Sequence, residues 1–424
     1  MLSIDTISNN KEETLIGLKK RGFKDLKIID KIIDLNLSRK KTQQDLDKIL
    51  FESNNISKKI SEIFKSGNND DSVSALKEES SDLKLKSKTL SDQLEKTKSD
   101  IFELLTSIPN IPDNEVPEGF TIEDNIEVYR SNEKIEPDEN LKTHWDLAKE
   151  YDIIDFELGS KITGSGFPVY KGKGAKLQRG LINYFLDKNT SAGYTEFQVP
   201  HLVNSDSAFA TGQLPDKDGQ MYHVNEDNFY LIPTAEVPLT NIYRDKILSA
   251  DEMPVLLTGY TPCFRREAGS YGSEVRGLNR LHQFDKVEIV RVEHPEKSYD
   301  SLNIMKDQIK TIIEKLELPF RIITLCGGDL GFTSALTYDF EIYSPAQDKW
   351  LEVSSVSNFE TFQSNRLKIR YRNSEGKTNL AHTLNGSSLA LPRVLATIIE
   401  NFQTEGGINI PKALQPYTGF SIIK

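Results

Sequence analysis

Cysteine is almost missing from this chain. Its two residues among 424, Cys263 and Cys326, cannot build a disulfide framework, and neither belongs to a Cys-x-x-Cys pair. A reducing compartment is the expected setting. No apolar run approaches the roughly 20 residues that a membrane helix requires. The opening MLSIDTISNNKEE is acidic and polar, without a basic patch leading into an apolar stretch, so the cytoplasm is the expected location. Several signatures are missing as well. There is no Gly-x-x-x-x-Gly-Lys-[Ser/Thr] loop and no Gly-x-Ser-x-Gly elbow, and Gly172-Lys173-Gly174 is too short to count as Gly-x-Gly-x-x-Gly. The six histidines, His144, His201, His223, His282, His294 and His382, lack metal-ligand spacing and read as surface or satisfied core residues. Positive charge is in deficit: a net charge of −11 argues against wholesale, non-specific nucleic-acid binding. Acids and lysines balance over roughly the first hundred residues, so the negative excess lies beyond them. Any nucleic acid must be met by local basic surface.

What the chain does have is length and pattern. With 424 residues, 28% of them charged, it suits a soluble protein of two or three domains with a sizeable core. Leu46, Ser53 and Ile60 recur every seven residues, as do Ile49, Ile56 and Ile63, and together they draw an a/d seam. Beyond Ser66-Gly67-Asn68-Asn69-Asp70-Asp71 the repeat resumes. Leu76, Leu83, Leu90, Thr97 and Leu104 form one row, and Val73, Ser80, Ser87, Leu94 and Ile101 the other. A short polar loop between two heptad segments predicts an antiparallel coiled-coil hairpin. Helices of roughly 40 residues reach about 60 Å, too long to bury against a compact domain, so the hairpin is expected to project. Periodicity alone favours an oligomerisation coiled coil. The serines weaken a tight zipper and suit an arm that flexes and grips.

The proline-dense SIPNIPDNEVPEG, Ser107 to Gly119, ends the second helix. The expected organisation is a helical arm at 1–106, a linker at 107–119 and a second domain at 120–424. In that domain Lys173 to Asn189 predicts a helix with Leu177, Leu181 and Phe185 on its apolar side, and Tyr194 to Val199 a strand stopped by Pro200. Further strands are predicted at 228–233, 255–265, 282–292, 320–326, 335–344 and 349–358. They lack the regular strand–helix alternation of a doubly wound sheet. The fold class is therefore α+β, with a mainly antiparallel sheet flanked by helices.

Three segments carry chemistry. In FRREAGSYGSEVRGLNRLHQFDKVE, Phe264 to Glu288, two strand ends flank a loop containing Gly269, Gly272 and Gly277. Arg265 and Glu267 are expected to face one way on the first strand, and Phe284, Lys286 and Glu288 share a face of the second. Charges on a face that should be core either pair among themselves or surround a polar ligand. Arginine suits bidentate phosphate or carboxylate binding, and phenylalanine suits stacking on a base. In NGSSLALPRVLATIIENF, Asn385 to Phe402, Pro392 opens a helix whose core face is Leu395, Ile398, Ile399 and Phe402. The helix dipole repels Arg393 in its first turn, so Arg393 either points to solvent or has an anion beside it, such as a nucleotide phosphate. In LEVSSVSN, Leu351 to Asn358, Glu352 with Ser354 and Ser355 can hold Mg2+ on ATP phosphates. Glu352 and Ser355 are three apart, so a shared metal requires a bulge or a strand end. A serine-rich polar strand is the plainer reading.

At these residues the chain resembles the seryl-tRNA synthetase family over essentially its whole length. Lys173 to Pro200 is similar to class II motif 1, which implies a homodimer. Phe264 to Glu288, with its RLHQFDKVE ending, is similar to motif 2, Asn385 to Gln403 to motif 3, and TAEVPLT from Thr234 to the serine-binding loop. The class I His-Ile-Gly-His motif is missing, as the resemblance requires. The hairpin resembles the arm that grips the long variable arm of serine tRNA. What the resemblance implies is a class II catalytic domain at 120–424 that activates L-serine with ATP and transfers it to tRNA(Ser); charging of tRNA for selenocysteine depends on the host. By the same resemblance, Arg265 holds the α-phosphate and the serine carboxylate and forms the catalytic pair with Arg393. Glu267 reads the adenine amino group, Phe284 and Arg393 sandwich the ring, and Arg280 holds the γ-phosphate. Arg266, Val353 and Ser354 complete the ATP contacts, and Glu352 and Ser355 bind Mg2+. Thr234 and Glu236 receive the serine amino group, Ala235 belongs to the same serine-binding set, and Glu288 and Ser387 receive the hydroxyl. No zinc is expected. Ser388 and Pro392 stand where motif 3 commonly has glycines, and Ser273 and Glu274 where an arginine–aspartate pair is commoner. A relative loading serine onto another acceptor would lack the arm, and a dead scaffold would be damaged at Arg265, Glu267, Glu288 or Arg393; neither sign is seen.

Overall fold

The structure, a computed structural model, describes residues 1–65, 71–131, 140–267 and 276–424. Residues 66–70 of the predicted hairpin loop 66–71 and the motif 2 positions Gly269, Gly272, Ser273 and Glu274 lie outside the described residues. The chain forms two compact units. One comprises Leu2–Lys19 and Phe23–Pro109, the other Lys20–Gly22 and Asn110–Lys424 together with Met1.

The first unit is helical: α1 (Ile4–Asn9), α2 (Lys11–Lys20), α3 (Lys27–Lys65) and α4 (Asp71–Ser107). Ser3 caps α1 by accepting the Thr6 amide at 2.9 Å. The two long helices lie against each other along the heptad rows. Leu46, Ile56, Val73, Leu83, Leu94 and Ile101 are buried, whereas Leu50, Phe51 and Leu85, off the seam, are exposed. Seam positions Ser80 and Thr97 are buried too, so small polar side chains let the helices approach without an apolar zipper at every layer. No helix among the described residues is long and apolar enough to cross a membrane.

The second unit is built on an eight-stranded sheet. In chain order its strands are β1 (Ile126–Arg130), β2 (Thr195–Glu196), β3 (Val255–Phe264), β4 (Gln283–Glu293), β5 (Phe320–Thr324), β6 (Leu336–Ser344), β7 (Lys349–Glu360) and β8 (His382–Ala390). They lie side by side in the order β1-β5-β6-β7-β8-β4-β3-β2, antiparallel throughout except for β2 beside β3. Alternation along β4 explains the two layers. Val287 and Ile289 join the main core with Leu177 and Phe185 of α6 (Gly172–Ser191), Leu302 and Ile309 of α8 (Ser298–Lys315), and Leu395 and Ile399 of α10 (Leu391–Asn401). Val290 and Val292 join a second cluster with Leu239 of α7 (Glu236–Asn241) and Leu367 of α9 (Thr361–Leu367).

Two expectations are corrected. The strand predicted at Tyr194–Val199 shrinks to Thr195–Glu196. β8 is not among the predicted strands. It nonetheless pairs on both sides, with β4 and β7, which satisfies its backbone in the interior. Within the second unit, the chain that follows Pro109 is held by backbone and side-chain hydrogen bonds. The Asn110 side-chain amide donates to the Thr333 and Phe359 carbonyls, both at 2.9 Å, and the Asp113 amide to that of Ala335 at 2.9 Å.

Candidate active site

Phe284, Lys286 and Glu288 sit on the β4 face that leads to Val290 and Val292. Above them opens a cleft lined by Arg265, Glu267, Arg280, Phe284, Glu352, Val353, Ser354 and Arg393, with Lys286 and Ser387 also in its wall. Arg266 is left outside: it is exposed and its amide donates to the Gln220 carbonyl at 2.9 Å.

The backbone route to this arrangement differs from the expected one. β3 ends at Phe264, so strand alternation does not align Arg265 with Glu267. The Arg265 amide donates to the His282 carbonyl at 2.9 Å, and its guanidinium lies 5.1 Å from the Phe284 ring centre, a cation–π contact. Glu267 adopts a φ of 48°, uncommon for a residue with a Cβ. Its carboxylate meets Arg280, with Oε2 3.4 Å from Nε.

Arg393 does not point to solvent. Its Nε donates to the Asn279 carbonyl at 2.9 Å and its Nη1 to the Glu352 carbonyl at 2.7 Å, and Nη1 is 3.5 Å from Glu352 Oε2. These oxygens offset the repulsion of a cation by the helix N-terminus. The register of β6 against β7 slips between Phe340 and Glu341, which face Ser354 and Glu352 respectively. Val353 is thus an extra residue, and this bulge returns Glu352 and Ser355 to one face. Asp339 is paired opposite Ser355, and its Oδ1 is buried without a partner. Burial, and then the Glu352 charge, hold its carboxyl well above the usual range. This oxygen-only donor set fits a hard dication such as Mg2+, for which two protein ligands suffice when phosphate oxygens and waters supply the rest.

At the inner end, Lys286 Nζ is 2.6 Å from Glu288 Oε2, which also accepts the Thr234 hydroxyl at 2.7 Å. Glu288 is 0% exposed and its Oε1 has no partner. Ser387 is its cross-strand neighbour on β8. Glu236, in the first turn of α7 behind the buried Ala235, accepts from Gln363 Nε2 at 2.6 Å. Burial, and then the Glu288 charge, push its pKa up to about 7. Ser388, where a glycine is commoner, is absorbed by donating to Asn189 Oδ1 at 3.1 Å. Lys286 as counter-charge to Glu288 was legible from their spacing of two. Gln363 and Asp339 carried no local signal, because the fold brings them in from α9 and β6.

An antiparallel sheet presenting these arginines, carboxylates and a stacked phenylalanine is the core of a class II aminoacyl-tRNA synthetase. Residues 220–402 match the family described as tRNA synthetase class II core domain (G, H, P, S and T), and residues 1–112 match the seryl-tRNA synthetase N-terminal domain. The serine–tRNA ligase of Salinibacter ruber is 45% identical over 425 residues, covering 100% of this chain and 99% of that protein. That of Clostridium tetani is 43% identical, covering 99% of each. Among solved structures, seryl-tRNA synthetase from Pyrococcus horikoshii complexed with ATP is 31% identical with a TM-score of 0.91, over 100% of this chain and 99% of that one. The chain belongs to the seryl-tRNA synthetase family, whose activity is that of an ATP-dependent serine–tRNA ligase.

Proposed function

We propose that this chain activates L-serine with ATP and passes the seryl group to tRNA(Ser), as a cytoplasmic homodimer. Residues 1–106 serve as the tRNA-gripping arm, 107–119 as the connection and 120–424 as the catalytic domain. The observation that carries the reading is Glu288 Oε1, a buried carboxylate oxygen without a partner beside an arginine-rich cleft. Leaving such an acceptor unpaired is costly, and a substrate hydroxyl relieves it; alanine does not.

In this reading the serine ammonium meets Thr234 and Glu236, its hydroxyl meets Glu288 and Ser387, and its carboxylate meets Arg265. A carboxylate oxygen attacks the α-phosphorus, the bond to the bridging oxygen breaks and pyrophosphate leaves. No side-chain base is required, because the nucleophile is already an anion; positioning and charge neutralisation do the work. Arg265 stabilises the charge developing on the α-phosphate. Phe284 and Arg393 sandwich the adenine, Glu267 accepts from its amino group and Arg280 holds the γ-phosphate, with Val353 and Ser354 alongside. Glu352 and Ser355 would hold Mg2+, which when bound neutralises phosphate charge. The terminal ribose hydroxyl of the tRNA then attacks the seryl carbonyl and AMP departs.

The test is ATP–pyrophosphate exchange with serine, threonine, alanine and glycine, run with and without serine tRNA. Exchange with serine alone, together with charging of the tRNA, is the expected result. Exchange without charging would redirect the search to another acceptor, and no exchange would leave a tRNA-binding scaffold.

A pH dependence follows from Glu236. With its pKa near 7 the carboxylate needed for ammonium binding is mostly protonated at pH 6 and mostly ionised at pH 8. KM for serine is therefore expected to fall about tenfold over that interval, with KM for ATP changing less. A flat serine KM would remove Glu236 from ammonium recognition.

A further inference from the structure

Behind the outer end of the cleft lies a buried network that none of these roles uses. His144 opens α5 (His144–Glu150) and Glu400 lies near the end of α10; both are 0% exposed. Glu400 Oε1 accepts from the His144 amide at 2.9 Å, from Nδ1 of the ring at 2.7 Å and from Gln347 Nε2 at 2.9 Å. Glu400 Oε2 accepts from the Ser344 hydroxyl. With the ring proton on Nδ1, Nε2 is an acceptor, and it takes the Leu278 amide at 2.9 Å. Both ring nitrogens are committed, so the tautomer is fixed.

The segment that receives this hydrogen bond, Arg276–Leu281, meets the network through Gly277, Leu278 and Asn279. The Arg276 guanidinium lies 4.7 Å from the Trp145 ring centre. Gly277 has a φ of 65°, and a Cβ there would come within 2.2 Å of His144 Nε2, so the backbone rests directly on the imidazole. Asn279 donates to Gln347 Oε1 at 2.9 Å, and its carbonyl accepts from Arg393 Nε. Arg280 follows and meets Glu267. Neither His144 nor Glu400 lines the cleft, yet Leu278, Asn279, Arg280 and Leu281 of the segment they hold do.

We propose that the Glu400–His144 pair positions the ATP-binding arginines: it fixes Leu278–Arg280 and, through the Asn279 carbonyl, aims Arg393. The proposal rests on the assignment of Arg280 and Arg393 to ATP. Packing alone needs no acceptor aimed at a single backbone amide, since an apolar side chain would fill the same space.

The test compares His144→Asn with His144→Gln by steady-state exchange kinetics. Asparagine can keep a donor for Glu400 but is too short to reach the Leu278 amide. Glutamine can place an oxygen acceptor near the position of Nε2. His144→Asn is expected to raise KM for ATP about tenfold with KM for serine unchanged, and His144→Gln to recover most of the loss. If His144→Asn does not fold, Gln347→Ala cuts the link to Asn279 at the edge of the network and carries the same expectation. Equal increases in both KM values, or a lowered melting temperature with KM for ATP unchanged, would overturn the proposal. Arg280→Ala and Arg393→Ala separate the two ideas: an unchanged KM for ATP in both overturns the ATP assignment itself, and the positioning role with it.

Discussion

Arg265→Ala is expected to abolish serine-dependent ATP–pyrophosphate exchange, lowering kcat/KM by roughly a thousandfold, about 4 kcal/mol. The size follows from where the side chain stands. In the proposed pose Arg265 is the cation shared by the attacking carboxylate and the α-phosphate, so it lowers the repulsion between two anions and stabilises the charge that grows as they join. Its backbone is held by the carbonyl of His282, the residue just before β4, and its guanidinium by Phe284, so little reorganisation is needed when the reaction occurs. The melting temperature is expected to change little, because the truncation leaves no buried charge unpaired. Arg265→Lys separates charge from geometry. It keeps the cation but loses the planar fork that grips two oxygens, and an intermediate loss is expected. Substantial exchange in Arg265→Ala would show that the reacting centre lies elsewhere in the cleft.

Period was the legible quantity in this sequence. The heptad rows placed α3 and α4, because a seam that must be buried leaves its mark every seven residues. Alternation placed Phe284, Lys286 and Glu288 on one face of β4. Two other parts of the site escaped the same logic for physical reasons. Glu352 and Ser355 violate alternation, and only the bulge at Val353 reconciles them; a requirement for a bulge can be stated from spacing, but its position is set by the neighbouring strand. Arg265 and Glu267 reach the cleft from beyond the end of β3, where an unusual φ at Glu267 replaces strand geometry. β8 was hidden by its composition. Asn385, Gly386 and Ser387 look like turn residues, but a central strand between two partners needs no β-branched side chains when a small one, Ser387, lines the cleft and admits Ser354 close to it, 2.5 Å from hydroxyl to carbonyl. Gln363 and Asp339 mark the limit: each acquires its significance only from a neighbour distant in sequence.

Deleting residues 30–100, with a short glycine–serine bridge in their place, is expected to spare exchange and abolish tRNA charging. The first half of that expectation rests on cooperativity. The removed residues belong to one compact unit, and their apolar seam is shared between α3 and α4, so removing both halves together exposes neither. Every residue proposed to contact ATP or serine lies in the other unit. The second half rests on charge. The chain carries −11 overall, concentrated beyond the arm, so the catalytic unit repels phosphate at a distance. The arm is near balance and presents exposed lysines, among them Lys58, Lys59, Lys84, Lys86 and Lys88, together with the exposed Phe51 and Phe64. Such a surface can pair with a phosphate backbone while offering aromatic contact. Charging by the intact chain should accordingly weaken as salt is raised, whereas exchange should be less sensitive. Equal loss of both activities on deletion would sink the assignment of the arm, because it would show that the helices support the catalytic unit itself. Undiminished charging would sink it as well, since the tRNA would then be held without them.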